Sequence, residues 1–108
     1  MNTSQKICWV YITVGSIEEA KKIGRELIEK NLAACINLLE NMTSIYNWED
    51  KLEECHEVVM IAKTRKALMA KLIETVKSHH SSDIPCILEL PIQNGNPDFL
   101  SWIERETT

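Results

Sequence analysis

The side chains best suited to bind a metal ion lie near the end of a predicted helix. His79 and His80 are adjacent there, and Cys86 follows a few residues later. Adjacent helical residues point about 100° apart, so both imidazoles cannot easily hold one ion and only one is expected to face a site. One thiolate with one imidazole suits Cu(I) better than Mg²⁺ or Ca²⁺. The segment therefore predicts half of a soft metal site.

A second group of side chains is suited to bind a small anion. Lys63 and Thr64 stand where a predicted strand leads into a predicted helix, and Tyr46 and Trp48 supply aromatic surface. Helix N-termini bind anions through free amide groups, and Lys63 adds positive charge. This combination predicts a ligand-binding region for a small anionic metabolite.

Purely structural roles are the alternative for both groups. A histidine at the end of a helix can interact with the exposed carbonyls, and Cys86 can belong to the core. Thr64 can act only as a helix cap, the Lys63 stem can cover apolar surface, and the two aromatic residues can pack in a subunit interface.

Other functional classes find little support in the sequence. It contains no nucleophile elbow, phosphate loop, H-E-x-x-H motif or convincing pair of catalytic carboxylates, so we expect no enzymatic activity. The net charge is −4, from 16 acidic and 12 basic side chains, and no basic stripe stands out. Nucleic acid is therefore not an expected partner.

The first half of the chain predicts the elements that position these residues. A strand is expected over 7–14, and Ser16 with Glu19 forms a capping box for a helix that begins at Ile17. Gly24 lies in the apolar face of this helix, which predicts a close backbone approach from a sheet. Asn31 is expected to end the helix in the left-handed region.

The rest of the chain predicts three further strands and two helices. Strands are expected over 33–40, 84–92 and a long hairpin-like section, whose arms are 45–48 and 58–63 and whose turn is Asp50-Lys51. Helices are expected over 65–79, capped by Thr64, and after Asn96-Pro97. The cysteines form no C-x-x-C pair, and all except Cys55 lie in apolar runs, so buried reduced thiols are expected.

The predicted order is an α+β, ferredoxin-like βαββαβ plan with a short C-terminal helix. Helices in this plan cover only one face of the sheet, yet the first strand is apolar on both alternations. Cys8, Val10, Ile12 and Val14 fall on one side, and Ile7, Trp9 and Tyr11 fall on the other. A sheet that is apolar on both faces needs cover on both, so the pattern predicts self-association without fixing the number of subunits.

Several short blocks closely resemble the divalent-cation tolerance family, CutA, over residues 8 to 103. They are Leu32 to Asn37, Thr43 to Glu49, Ile61 to Thr64 and Leu90 to Asn96. The resemblance implies a homotrimer with clefts between subunits. It also associates copper with a His, a Glu after Pro and a Cys late in the first strand. By position these are His80, Cys86 and Ile12, so only the histidine is retained.

We expect one CutA-like domain over 1–108 that functions as a trimeric metal-binding protein in copper and divalent-cation tolerance and metal-ion response. Copper is a possible ligand at His80 and Cys86, and no cofactor is obligatory. The alternative is a trimer that resembles the PII signalling proteins, which binds a small anionic ligand in its clefts or anchors a protein partner. Residues 2–6 carry no targeting signal and no apolar run is long enough to span a bilayer, which predicts a cytoplasmic protein that does not enter membranes.

Overall fold

The computed structural model describes residues 6–108 and contains one antiparallel sheet with three α-helices. The strand order is β2-β3-β1-β4, which confirms the ferredoxin-like plan. The elements are β1 (Ile7–Val14), α1 (Ile17–Glu29), β2 (Cys35–Trp48), β3 (Lys51–Arg65), α2 (Met69–His79), β4 (Ile87–Pro91) and α3 (Pro97–Glu106).

The main core lies between the sheet and helices α1 and α2. The even-numbered residues of β1 point into it, and Val10, Ile12 and Val14 are completely buried. Leu27 of α1 and Leu72 of α2 pack against them from the helix side. Period-two alternation in the strand and the apolar stripe of each helix thus meet in one layer.

Helix α1 begins and ends as predicted. The Ser16 hydroxyl accepts a hydrogen bond from the Glu19 amide at 3.2 Å, and Asn31 follows the helix with φ of 57°. The approach at Gly24 differs from the prediction, because a side chain rather than backbone comes close. A Cβ at Gly24 would lie 3.1 Å from Cγ2 of Ile36, so a larger residue there would require the Ile36 side chain to shift.

The hairpin of β2 and β3 is longer and more continuous than predicted. Residues 33–40 and 45–48 are not parts of separate strands, because β2 runs unbroken for 14 residues through an irregularity between Leu39 and Met42. Asn41 has a φ of 65° at this bulge. The turn lies at Glu49 and Asp50, with φ values of 51° and 62°, one residue earlier than predicted.

Thr64 does not cap a helix, so that prediction is wrong. It lies within β3, completely buried, and its hydroxyl donates a hydrogen bond to the Leu32 carbonyl at 2.7 Å. Helix α2 begins only at Met69, after a 3₁₀ turn over Lys66–Leu68. The fourth strand likewise begins later than predicted, at Ile87 rather than residue 84.

The sheet face opposite α1 and α2 is largely uncovered, and we call it the open face. Trp9 pairs with Leu90 and Tyr11 with Leu88, so their side chains share this face. Trp9 is 39% exposed and Leu88 is 58% exposed. The adjoining strands add Leu39, which is 59% exposed. Isolated exposed apolar residues are ordinary, but a contiguous apolar surface of this kind indicates an interaction site.

Helix α3 covers one end of the open face. Leu100 and Ile103 bury Ile7, and the Arg65 guanidinium donates hydrogen bonds to the side chain and carbonyl of Thr107 at 3.0 and 2.7 Å. The rest of the face has no such cover within residues 6–108.

Within residues 6–108, no helix combines the length and the apolar character needed to cross a membrane. Most of the segment examined for a targeting signal, residues 2–6, lies outside the described residues.

The Thr64 hydrogen bond provides a test of how the core is fixed. Thr64→Val keeps the side-chain shape but leaves the Leu32 carbonyl without this donor, so we expect the free energy of unfolding to fall by about 1–3 kcal/mol. Thr43→Val, at an exposed strand position, is the matched control and should change it by less than about 0.5 kcal/mol. Urea unfolding at one fixed protein concentration measures both. Equal stability of the two variants would contradict the assigned role of Thr64.

Candidate functional site

A cleft of about 370 Å³ opens where β1 ends, beside the loop that joins α2 to β4. The far half of the β2–β3 hairpin forms its other wall. We call it the His80 cleft. Its lining residues are Thr13, Tyr46, Trp48, Glu57, His80, Ser82, Ile84, Pro85 and Cys86. The fold therefore brings together residues that the sequence had suggested for two different sites.

His80 holds the α2–β4 loop against the sheet. Its Nε2 lies 2.7 Å from the Thr13 carbonyl oxygen, and its Nδ1 lies 3.0 Å from the Ser82 amide nitrogen. A carbonyl oxygen only accepts and an amide N–H only donates, so Nε2 carries the proton and Nδ1 accepts. Both ring nitrogens are thus engaged, and neither bonds the last carbonyls of α2. A metal ion could use His80 only by replacing one of these hydrogen bonds.

Cys86 lies at the entrance to β4, half-buried on the cleft wall. Its carbonyl accepts a hydrogen bond from the Thr13 amide at 3.3 Å, which fixes the backbone beside the end of β1. Ile12, the third position of the implied copper triad, is completely buried in the core on the helix side. The fold therefore brings His80 and Cys86 together and keeps Ile12 away from them.

Tyr46 and Trp48 line the cleft from the outer part of β2. The Tyr46 hydroxyl lies 3.7 Å from the Cys55 sulfur. This hydrogen bond is the largest cause that raises the pKa of Tyr46, and the charges of Glu57 and Glu53 act in the same direction. The Tyr46 hydroxyl therefore adds a polar group to the cleft beside Cys55.

Lys63 lies elsewhere on the sheet. Its ammonium group donates to Asn37 Oδ1 at 2.6 Å and sits 5.7 Å from the centroid of the Phe99 ring, at the end of the open face that α3 covers. Neither Lys63 nor the buried Thr64 lines the His80 cleft. The structure therefore divides the predicted anion-binding group, and no helix begins at Lys63 and Thr64 to supply free amides.

The charge of the cleft favours a cation over an anion. Glu57 is the one acidic side chain among its lining residues, and no lysine or arginine is among them. Sequence reasoning missed Glu57 because its position depends on the bulge in β2, after which Met42 pairs with Glu57. Between residues 6 and 108 no three ligating His, Cys, Asp or Glu side chains come close enough to surround a metal ion. One chain alone supplies only part of a metal site.

The four cysteines differ in burial, although all except Cys55 were expected to be buried. Only Cys8 is fully buried, whereas Cys35, Cys55 and Cys86 are half-buried, and all four are free thiols. Burial, with a smaller contribution from the Glu89 charge, raises the pKa of Cys8 to about 11. Cys8 is therefore a poor metal ligand.

Comparisons with known proteins identify relatives of the whole fold. The family model described as CutA1 divalent ion tolerance protein matches residues 8–106. The mouse protein named Protein CutA is 41% identical over 97 residues, which is 90% of this chain and 55% of the mouse protein. The chain thus spans about half the length of that relative.

Two solved structures match the fold closely. The structure of the periplasmic divalent cation tolerance protein CutA from Archaeoglobus fulgidus has a TM-score of 0.92 at 41% identity, and covers 94% of this chain and 99% of its own. The crystal structure of CutA1 from Oryza sativa has a TM-score of 0.94 at 37% identity, and covers 98% of this chain and 97% of its own.

The two hydrogen bonds of His80 predict a structural cost for its removal. His80→Ala should lower the free energy of unfolding by roughly 1–3 kcal/mol, because the loop loses its attachment to β1. His79→Ala is the control and should have little effect. His79 is exposed, and its contact with Glu26 is long, at 4.0 Å from Nε2 to Oε1. Imidazole ¹⁵N spectra should show the Nε2-protonated neutral tautomer of His80. The Nδ1-protonated tautomer, or equal stability of the two variants, would contradict this geometry.

Proposed function

Since this chain belongs to the CutA1 divalent ion tolerance family, we propose that it works as a non-enzymatic homotrimer in the tolerance of divalent cations, with copper as a ligand. The number of subunits and the choice of copper extend the resemblance noted in the sequence. The single observation that carries the assembly is the open face, whose apolar side chains remain half-exposed on one chain. Three copies that face one another would remove this surface from water.

The negative charge of the His80 cleft supports cation binding. Glu57 attracts a cation, the Cys86 thiol supplies a soft ligand, and the Tyr46 hydroxyl adds a further polar group. The same charge disfavours the small anionic metabolite of the PII-like alternative, because no lysine or arginine among the lining residues would neutralise the negative charge of that ligand. Lys63, which was expected to attract such an anion, lies at the other end of the sheet.

A complete copper site on one chain does not fit these residues. His80 is held by Thr13 and Ser82, and fewer than three ligating side chains of residues 6–108 converge on any point. We therefore place copper at a seam of the trimer, where Cys86 of one subunit and donors from a neighbour share it. His80 then positions the loop that carries Cys86 instead of serving as an obligatory ligand.

The cellular compartment remains a prediction. The sequence suggests a cytoplasmic protein, whereas the relative from Archaeoglobus fulgidus carries the word periplasmic in its name. Half-buried thiols such as Cys86 persist as soft ligands where the surroundings are reducing, so the proposed copper role fits a cytoplasmic location.

Self-association predicts that a charge on the open face will dissociate the protein. Leu88→Glu places a carboxylate on the proposed interface, where burial of an unpaired charge is costly, and should shift the sedimenting species from trimer towards monomer. Ile28→Glu adds the same charge to an exposed apolar position of α1, on the other side of the sheet, and should leave the trimer intact. Sedimentation velocity at equal concentrations decides. If Leu88→Glu remains trimeric, the open face is not the interface.

Copper binding predicts a role for the cleft thiol. We expect Cys86→Ser to weaken Cu(I) binding by the reduced protein roughly 10- to 100-fold, and Glu57→Gln to weaken it less. Cys35→Ser is the control, since Cys35 is also half-buried but lies beside Lys63. Competition against a chromophoric Cu(I) chelator measures each affinity. Unchanged affinity in a Cys86→Ser, Glu57→Gln double variant would show that copper does not bind in the His80 cleft. That result would not bear on the proposed trimer.

A further inference from the structure

A groove of about 380 Å³ lies on the helix side of the sheet, between α1 and the edge strand β2. Neither the assembly nor the His80 cleft uses it, because both lie on or beside the open face. Its lining residues are Lys21, Gly24, Arg25, Ile28, Glu29, Ile36 and Leu38. We call it the α1–β2 groove.

The floor of the α1–β2 groove is apolar for reasons built into the fold. β2 is the edge strand of the sheet, so α1 covers Ile36 and Leu38 only in part. A Cβ at Gly24 would lie only 3.1 Å from Ile36, so Ile36 is accessible beside Gly24 and not beneath it, and Ile28 remains 40% exposed at the rim. The volume lies within the range of about 300–1,000 Å³ that is typical of small-molecule sites. An elongated apolar group can therefore lie along this floor.

The rim of the groove carries more positive than negative charge. Lys21 and Arg25 stand one helical turn apart on α1, and Glu29 continues the same row. Within the described residues, none of the three forms an ion pair, unlike Glu26 and Lys30 on the neighbouring row. A local excess of one positive charge is notable in a chain whose net charge is −4. It attracts a monoanionic head group placed beside the apolar floor.

We propose that the α1–β2 groove binds a single free fatty acid, with the unbranched tail over Ile36 and Leu38 and the carboxylate between Lys21 and Arg25. The rim charge favours an anion over a neutral or cationic molecule with the same tail. A concave site beside one helix suits one chain rather than a lipid surface. The protein would thus carry a lipid-derived ligand on its outer face, independently of metal.

Calorimetric titration with dodecanoate below its micelle concentration tests this inference. Binding is expected for dodecanoate, much weaker binding for dodecyltrimethylammonium, and none for butyrate. A Lys21→Glu, Arg25→Glu double variant should lose roughly tenfold in affinity for dodecanoate. A Lys22→Glu, Lys77→Glu double variant is the control matched for charge, since both residues are exposed and lie outside the groove, and it should bind like the unmodified chain.

A second pair of variants tests the apolar floor. Ile28→Gln should weaken dodecanoate binding roughly fivefold, whereas Leu52→Gln, at an exposed apolar position of the hairpin, should not. Methyl resonances of Ile36 and Leu38 should shift on titration. Equal binding by all of these variants, loss of binding through Leu88→Glu on the open face, or binding only to anionic vesicles would overturn the proposal. The Cys86→Ser variant should retain dodecanoate binding, which separates this test from that of the copper site.

Discussion

The sheet has two apolar faces, and within residues 6–108 the helices pack along one of them and cover only one end of the other. On the helix side, β1 contributes Val10, Ile12 and Val14 to a continuous core, and all three are completely buried. On the other side α3 reaches only the end near Ile7. The apolar side chains there are about half exposed, so burying the remainder of each would contribute roughly 0.7–1.5 kcal/mol, and the face favours a partner surface. The proposed assembly and the copper seam both follow from this imbalance.

The same constraint locates the two candidate binding regions. The His80 cleft lies beside the open face, because the loop after α2 returns to β1 through the hydrogen bond between His80 and the Thr13 carbonyl. In the proposed trimer, the subunit that covers the open face would supply the remaining ligands of a site in that position. The α1–β2 groove lies on the opposite side, where α1 leaves the edge strand partly uncovered. The proposed copper site and the proposed fatty-acid site therefore lie on opposite sides of the sheet.

Local signals in the sequence were sufficient for some elements and not for others. The first helix was predictable from start to finish, because the Ser16 cap, the apolar stripe and Asn31 all act within a few residues of it. The long strand β2 was not, since Asn41 and the polar residues around it look like a break until pairing with β3 is known. The local sequence predicts a helix cap at Thr64 for the same reason, because it does not show the distant partner of this residue. Its hydroxyl bonds Leu32, far away in sequence, and no local pattern reports such a contact.

The candidate site shows the same limit. His80 and Cys86 could be proposed from their chemistry and their nearness in sequence, but Glu57 reaches the cleft only through the bulged register of the hairpin.

Sedimentation equilibrium of the unmodified chain at micromolar concentration tests most directly the central claim that copies of the chain cover the open face. A homogeneous particle of three times the 12.4 kDa of one chain is the predicted result. A stable particle with the mass of a single chain would contradict it, because the open face would then be left in water.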